Sequence, residues 1–377
     1  MRGISQATVA WASGTAIAVA AGVTGIVVTI HSHPAQAQAA GAVSATPTTH
    51  RPKAPDVLRV LSVTPSNGSH DVDGAGQIMV TFSSPPPDTA VPKISPSIAG
   101  TWQRQGDSIV FTPQVGFTPT TQVTVTVPQT VARHRSVYKA TFTTAAYSNL
   151  RLQQLLAQLG YLPMSWSADL GGTITPDNEA GQVAAAYSPP AGSFTMQGGY
   201  PSALYSLWKE GEPNLLEKGA ITGFEGDHDM PTDGVASPAV WDAVLRDAEN
   251  DNRNTHGYSY AVASQSSPES LTIWHNGHVV LNSTANTGAS DAPTPVGTFP
   301  VYEKLPFQIM RGISPGGSHY ADPVRWVSYF NGGAAVHYFN RGSYGHPQSL
   351  GCVELPYTAA QEAYPYLPYG TLVTVTP

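Results

Sequence analysis

A mainly β, multidomain protein is what this sequence predicts, and three observations carry the prediction. Two long stretches, residues 56–146 and 257–377, alternate apolar and polar side chains with period two in short runs. Turn residues separate those runs, in a chain holding 36 glycines and 33 prolines. Between the two stretches lies a segment with helical spacing. At 377 residues the chain has room for two or three domains, each with its own core.

Composition narrows the function. Charged residues make up 11% and the formal net charge is −7, which argues against a nucleic-acid partner, since that would require a basic stripe. Export is written into the N-terminus. Arg2 precedes an uncharged apolar run, Ala7 to Ile30, followed by Ala35-Gln36-Ala37 and Ala37-Gln38-Ala39, both small-x-small cleavage patterns. The run is also long enough to span a bilayer uncut. Residues 1–38 are therefore a signal peptide or a retained membrane anchor, and membrane contact is expected through this segment alone. Either way the remainder is extracytoplasmic, secreted or held at the outer face of the membrane. Residues 39–55, rich in Pro, Thr and Ala, read as a disordered linker.

From 56 to 146 five strands are expected: Val57–Val63, Gln77–Phe82, Ser108–Phe111, Gln122–Val127 and Tyr138–Phe142. Pro65-Ser66-Asn67-Gly68 and Pro85-Pro86-Pro87 mark turns between them. Short strands at this spacing make a β-sandwich, and the stretch resembles bacterial immunoglobulin-like domains. Nothing in it carries chemistry, so it reads as a spacer or packing partner.

From 147 to 250 a small helical domain is expected. Leu152, Leu155, Leu156 and Leu159 form one apolar stripe, with Ser148 to cap the helix and Gly160 to end it. A second helix starts at Ser237-Pro238, serine as cap and proline in the first turn. These two ends, L-x-x-L-L-x-x-L-G-Y and D-G-x-x-S-x-x-V-W-x-x-x-L, resemble a small peptidoglycan-binding domain; residues 189–218 between them are longer and richer in Gly and Pro than that pattern. Glu225, Asp227, Asp229 and Asp233 miss the calcium-loop spacing and read as a solvated loop.

From 257 onward strands return. Leu271–His275 and His278–Leu281 flank Asn276-Gly277, the pair that suits a tight type I′ hairpin. His275 and His278 are too few ligands for a closed metal site, so no metal is expected. Thr294–Val301 turns into a strand, and Trp326–His337 places His337 at a strand's end. A short helix, Thr358–Tyr364, precedes a last strand, Thr371–Val375.

The only cysteine, Cys352, follows His337 by fifteen positions within VHYFNRGSYGHPQSLGCVE. A lone thiol in an exported chain is a buried apolar residue, an intermolecular partner or a reactive group. The Gly351 before it lets backbone approach a substrate, and the successive N–H groups of Gly351 and Cys352 can face an oxyanion. His337 is the nearest well-placed base.

With the strand-Asn-Gly-strand entry, T-P-x-G-T-F at Thr294 to Phe299, the histidine before S-x-G-C and G-T-x-V-x-V at Gly370 to Val375, residues 257–377 resemble the L,D-transpeptidase catalytic-domain family. The resemblance implies a mixed β-sandwich-like fold and cofactor-free acyl transfer on peptidoglycan stem peptides, donor and acceptor, giving 3→3 cross-links. It implies that Cys352 is the nucleophile, His337 the general base oriented by the Tyr338 carbonyl, and carbapenem-type β-lactams covalent inhibitors. Ser343, Tyr344 and Ser349 would hydrogen-bond the stem. Tyr320 would sit in a mobile Gly-rich lid, Gly312 to Asp322. Two positions depart from the family: Leu350 where histidine is common, and Glu354 where Arg or Asn is. His346, in a Gly-His-Pro turn, reads as exposed. Trimming by the same Cys–His pair, as an L,D-carboxypeptidase, and a catalytically silent wall-binding role remain open alternatives.

Overall fold

The computed structural model describes residues 57–131, 134–169 and 178–377; the leader and the linker expected over 1–55 lie outside them. Among the described residues, no helix is long and apolar enough to cross a membrane.

The first unit is a sandwich of two four-stranded sheets. Its strands are β1 (Val60–Thr64), β2 (Ser69–Val72), β3 (Ile78–Phe82), β4 (Lys93–Ser95), β5 (Gly100–Gln105), β6 (Ser108–Pro113), β7 (Gln122–Val131) and β8 (His134–Thr144). They lie in the orders β1-β3-β6-β5 and β2-β8-β7-β4. Alternation builds the core: Ile78, Val80 and Phe82 point inward against Val123, Val125 and Phe142, while Met79 faces out. The five expected strands are all present. The three that composition did not flag, β2, β4 and β5, sit at sheet edges, where few side chains are buried and no apolar period is needed.

The middle unit comprises α1 (Asn149–Gln158), β9 (Met164–Ala168), α2 (Glu179–Tyr187), β10 (Gly192–Met196), α3 (Ser202–Tyr205), α4 (Leu215–Asp227) and α5 (Pro238–Asn250). The leucine stripe of α1 is buried as its spacing demands. Ser148 occupies the N-cap position of α1, but its side chain makes no capping bond there. Ser237 does cap α5, accepting from the Val240 N–H at 3.3 Å. The acidic loop is corrected: Glu225 and Asp227 belong to the last turn of α4, and Glu225 is only 1% exposed. Its carboxylate accepts the Gly234 N–H at 2.8 Å, and Asp227 accepts the Tyr161 hydroxyl at 2.9 Å.

The last unit holds two sheets. Its elements are β11 (Ser259–Ser264), β12 (Ser270–His275), β13 (His278–Thr284), β14 (Gly297–Pro300), β15 (Glu303–Ile313), β16 (His319–Asn331), β17 (Ala334–Tyr338), β18 (Val353–Leu355), α6 (Tyr357–Ala363) and β19 (Leu372–Thr376). The orders are β13-β12-β11-β19-β14 and β15-β16-β17-β18, with β11·β19 and β17·β18 parallel and the other pairs antiparallel. Asn276 and Gly277 take φ of 49° and 80°, the left-handed pair that the β12–β13 turn requires. Ala261, Ala263, Ile273, Val336, Val353 and Val373 fill the space between the sheets. The opposite face of the larger sheet is covered too. Tyr260 and Leu372 share one core with the helices of the middle unit. Gly219 of α4 allows this contact, since a Cβ there would lie 2.8 Å from the Gly370 carbonyl.

The Gly-rich stretch from Gly312 to Asp322 is a β-hairpin. Both its ends are strand, turning over residues 314–318 between β15 and β16. Gly312 stands opposite Tyr320, and the missing side chain leaves room for that ring to lie across the hairpin.

Candidate active site

Strand alternation assembles the site. On β17, Val336 points into the core beside Val353, so its neighbours Ala335 and His337 point the other way. Cys352, one residue before β18, packs on Ala335, Val327 and Tyr329 of that outer face. In the parallel register His337 pairs with Glu354, which places Glu354 and Cys352 on one face of their strand and His337 on the same face of the next. Strand spacing of ~4.8 Å across and ~6.6 Å per two residues puts the Cys352 and His337 Cα atoms ~8 Å apart, a gap two side chains can close. Both line a single cavity of about 520 Å³, roofed by Met310, Tyr320 and Asp322 of the β15–β16 hairpin.

The imidazole is set up as a base. His337 is 3% exposed, and its Nδ1 lies 3.0 Å from the Tyr338 carbonyl oxygen. A carbonyl only accepts, so Nδ1 carries the hydrogen and Nε2 keeps its lone pair. Burial lowers the pKa of His337, partly opposed by the Tyr338 carbonyl and by Glu354, which raise it. The sulfur of Cys352 lies 3.7 Å from the Gly333 carbonyl as a weak S–H donor. Burial pushes its pKa up to about 11, the Ala335 backbone works the other way, and the Glu354 charge adds to the rise. Both groups are thus neutral at rest near pH 7, a thiol beside an imidazole rather than a preformed ion pair.

The turn carrying the cysteine is bolted to the loop after β13. Ser349 is fully buried; its Oγ donates to the Cys352 carbonyl at 2.6 Å and accepts the Gly351 N–H at 3.1 Å. Thr294 Oγ1 donates to the same carbonyl at 3.3 Å. Asn286 exchanges backbone bonds with Glu354, both at 2.9 Å, and its Oδ1 accepts the Gly345 N–H at 3.0 Å. Gly351 itself adopts φ of 104°, open to glycine and strained for other residues.

These bonds revise several expected roles. Ser349 is corrected from substrate contact to buried brace, since its hydroxyl bonds backbone on both sides and does not line the cavity. The Gly351 N–H is spent on Ser349, which leaves the Cys352 N–H as the expected oxyanion donor without a partner among the described residues. Tyr344 donates to the Phe339 carbonyl at 2.6 Å and does not line the cavity, nor does Ser343, whose carbonyl accepts from Gln348 at 2.9 Å. Of the four expected stem contacts, Tyr320 reaches the cavity. His346 is exposed, as its turn suggested. Sequence reasoning missed Arg341, whose Nε and Nη2 hold both oxygens of the 4%-exposed Glu354 at 2.7 Å. The signal was present: an acidic residue at 354 next to the sulfur needs a cation, and Arg341 is the nearest in sequence.

Against this geometry, two family models match the chain. Residues 258–375 match the L,D-transpeptidase catalytic domain and residues 54–144 a bacterial Ig-like domain. The protein therefore carries an L,D-transpeptidase catalytic domain at its C-terminus, preceded by an immunoglobulin-like domain. Among solved structures the chain is similar to an L,D-transpeptidase from Mycobacterium smegmatis, at 17% identity over 85% of this chain and 99% of that one, with a TM-score of 0.30. It is similar to L,D-transpeptidase 3 from Mycobacterium tuberculosis at 15% identity, over 84% of this chain and 98% of that one, TM-score 0.30. The catalytic domain of an E. faecium L,D-transpeptidase is 24% identical over 31% of this chain and 96% of its own, TM-score 0.29. No curated protein matches the chain.

Proposed function

We propose that this protein is an exported L,D-transpeptidase that forms 3→3 peptidoglycan cross-links through an acyl-enzyme on Cys352. The observation that carries this reading is the placement of Cys352 and His337 on one face of adjacent parallel strands, lining one cavity, within the matched catalytic domain. In the first step the sulfur attacks the carbonyl of the third, diamino residue of a tetrapeptide stem while His337 Nε2 takes its proton. The oxyanion forms beside the Cys352 N–H. The bond to the terminal D-alanine then breaks, and its nitrogen leaves with that proton. In the second step the side-chain amine of another stem attacks the thioester and passes a proton through His337 back to sulfur. The immunoglobulin-like and helical units act as spacers that carry this site into the wall.

Muropeptide mass spectrometry of a strain expressing the protein, compared with one expressing Cys352→Ala, tests the reading. Loss of 3→3 dimers in the variant is the expected result. Build-up of tetrapeptides with dimers unchanged assigns the protein to stem trimming, and no difference between the strains leaves it a wall-binding protein.

A further inference from the structure

Arg341 is incompletely bonded in the cavity that holds Cys352. Its guanidinium has five N–H donors. Nε and one Nη2 hydrogen go to the two oxygens of Glu354, each at 2.7 Å, and the other Nη2 hydrogen goes to the Gln348 carbonyl at 3.2 Å. Neither Nη1 hydrogen has a partner among the described residues. The group also lies over the Phe339 ring at 4.6 Å, so one edge and one face are gripped. Backbone bonds hold the base of the side chain: the Arg341 N–H donates to the Tyr344 hydroxyl at 3.3 Å, and that hydroxyl donates to Phe339 at 2.6 Å. An arginine fixed this firmly, with its remaining edge undonated beside a cavity, is suited to an anion.

Distance from the sulfur selects which anion. Cys352 and Glu354 share a face of one strand two residues apart, ~6.6 Å by strand geometry, and Arg341 sits against Glu354. A sulfur poised to attack stands ~3–3.5 Å from the carbonyl carbon. One further residue of peptide adds ~3.3–3.6 Å. The carboxylate one residue beyond the attacked carbonyl therefore falls level with Arg341. The other charged groups of the cavity leave this role to it. Arg311 lies on the opposing hairpin rather than beside the strand of Cys352, Asp322 is an anion whose charge acts on Arg341 itself, and Glu354 is already paired.

We infer that Arg341, positioned by Glu354, binds the terminal carboxylate of the donor peptide, so that the enzyme accepts a free C-terminus one residue past the scissile bond. The inference rests on the donor step proposed above, in which that carboxylate departs with D-alanine. In the tetrapeptide donor proposed above, that carboxylate is the one Arg341 meets. A pentapeptide would carry its carboxylate one residue too far and leave a neutral amide at Arg341.

The full-length protein tests this with three donors: a stem tetrapeptide with a free C-terminus, its C-terminal amide, and the pentapeptide. For the wild type, kcat/KM on the acid should exceed that on the amide by about tenfold or more, chiefly through KM, as a charge-assisted hydrogen bond predicts. Arg341→Gln should bring the ratio close to one. Because that variant strands a buried Glu354, the paired change Arg341→Gln with Glu354→Gln supplies a second test with no stranded charge, its folding checked by thermal melting. Arg341→Lys keeps a charge but cannot hold Glu354 and the substrate together, and should fall between. Equal use of acid and amide by the wild type, or an unchanged ratio in the double variant, overturns the assignment. A wild type that forms no acyl-enzyme with any of the three donors overturns the proposed reaction, and this assignment with it.

Discussion

The Ser349 hydroxyl brackets the Gly351–Cys352 dipeptide, donating to the Cys352 carbonyl at 2.6 Å and accepting the Gly351 N–H at 3.1 Å. The residue is fully buried. Ser349→Ala should therefore cost about 1–3 kcal/mol in unfolding free energy, the price of stranding buried polar groups. It should also slow acylation of Cys352 by a carbapenem about tenfold. Denaturant melts and mass-detected adduct formation check the two effects; unchanged acylation would show that the brace is dispensable for chemistry.

Protonation at rest gives a second prediction. Burial raises the Cys352 thiol from its ordinary 9.0 to about 11 and pulls the His337 imidazole below its ordinary 6.5. Alkylation by iodoacetamide should be slow at pH 7 and climb steeply toward pH 11, and turnover should hold as pH falls to 6.5. For stability the signs differ. The thiol is raised, so its contribution is full below pH 9.0 and is lost as pH rises toward about 11. The imidazole is depressed, so its contribution is full above pH 6.5 and is lost as pH falls through its lowered value. Any Tm advantage of the wild type over Cys352→Ala should shrink between pH 9 and pH 11.

Breaking the Arg341–Glu354 pair from one side should be worse than replacing it. Arg341→Ala leaves a carboxylate that is 4% exposed without its cation, a loss of about 3–5 kcal/mol. Arg341→Gln with Glu354→Gln should recover most of that loss in chemical denaturation. Equal destabilisation by both would mean that the charge itself matters little.

Glu225, at the end of α4, gives a test remote from the site. Burial lifts its pKa to about 7 from an ordinary 4.5. With the folded value raised, its contribution is full below pH 4.5 and is lost as pH rises through about 7. Above that the buried charge works against the fold by up to ~3 kcal/mol. Glu225→Gln should accordingly raise Tm at pH 8 and leave it nearly unchanged at pH 5.

Period-two patterning revealed the interior strands because burial writes itself on alternate residues; Ile78, Val80 and Phe82 are legible for that reason. Edge strands such as β5 have a single half-buried side chain to advertise them, Trp102. At the site, the thiol and imidazole were legible because each is chemically rare and their spacing is short. Ser349 was misassigned because a hydroxyl near a nucleophile looks alike whether it faces substrate or backbone. Arg341 was passed over because it lies in the loop after β17, and only the fold of that loop back onto β18 brings it against Glu354. Glu225 was read as solvated since an acidic run hides which member turns inward.

The catalytic unit's larger sheet is greasy on both faces, and one of them belongs to somebody else. Tyr260 and Leu372 are covered by helices that precede the matched stretch, through the glycine contact of α4 with Gly370. A fragment cut at Tyr258 would bare that surface and should clump in solution, whereas one begun ahead of α1 would keep its own lining. Kinship in sequence and independence in folding part company at that seam.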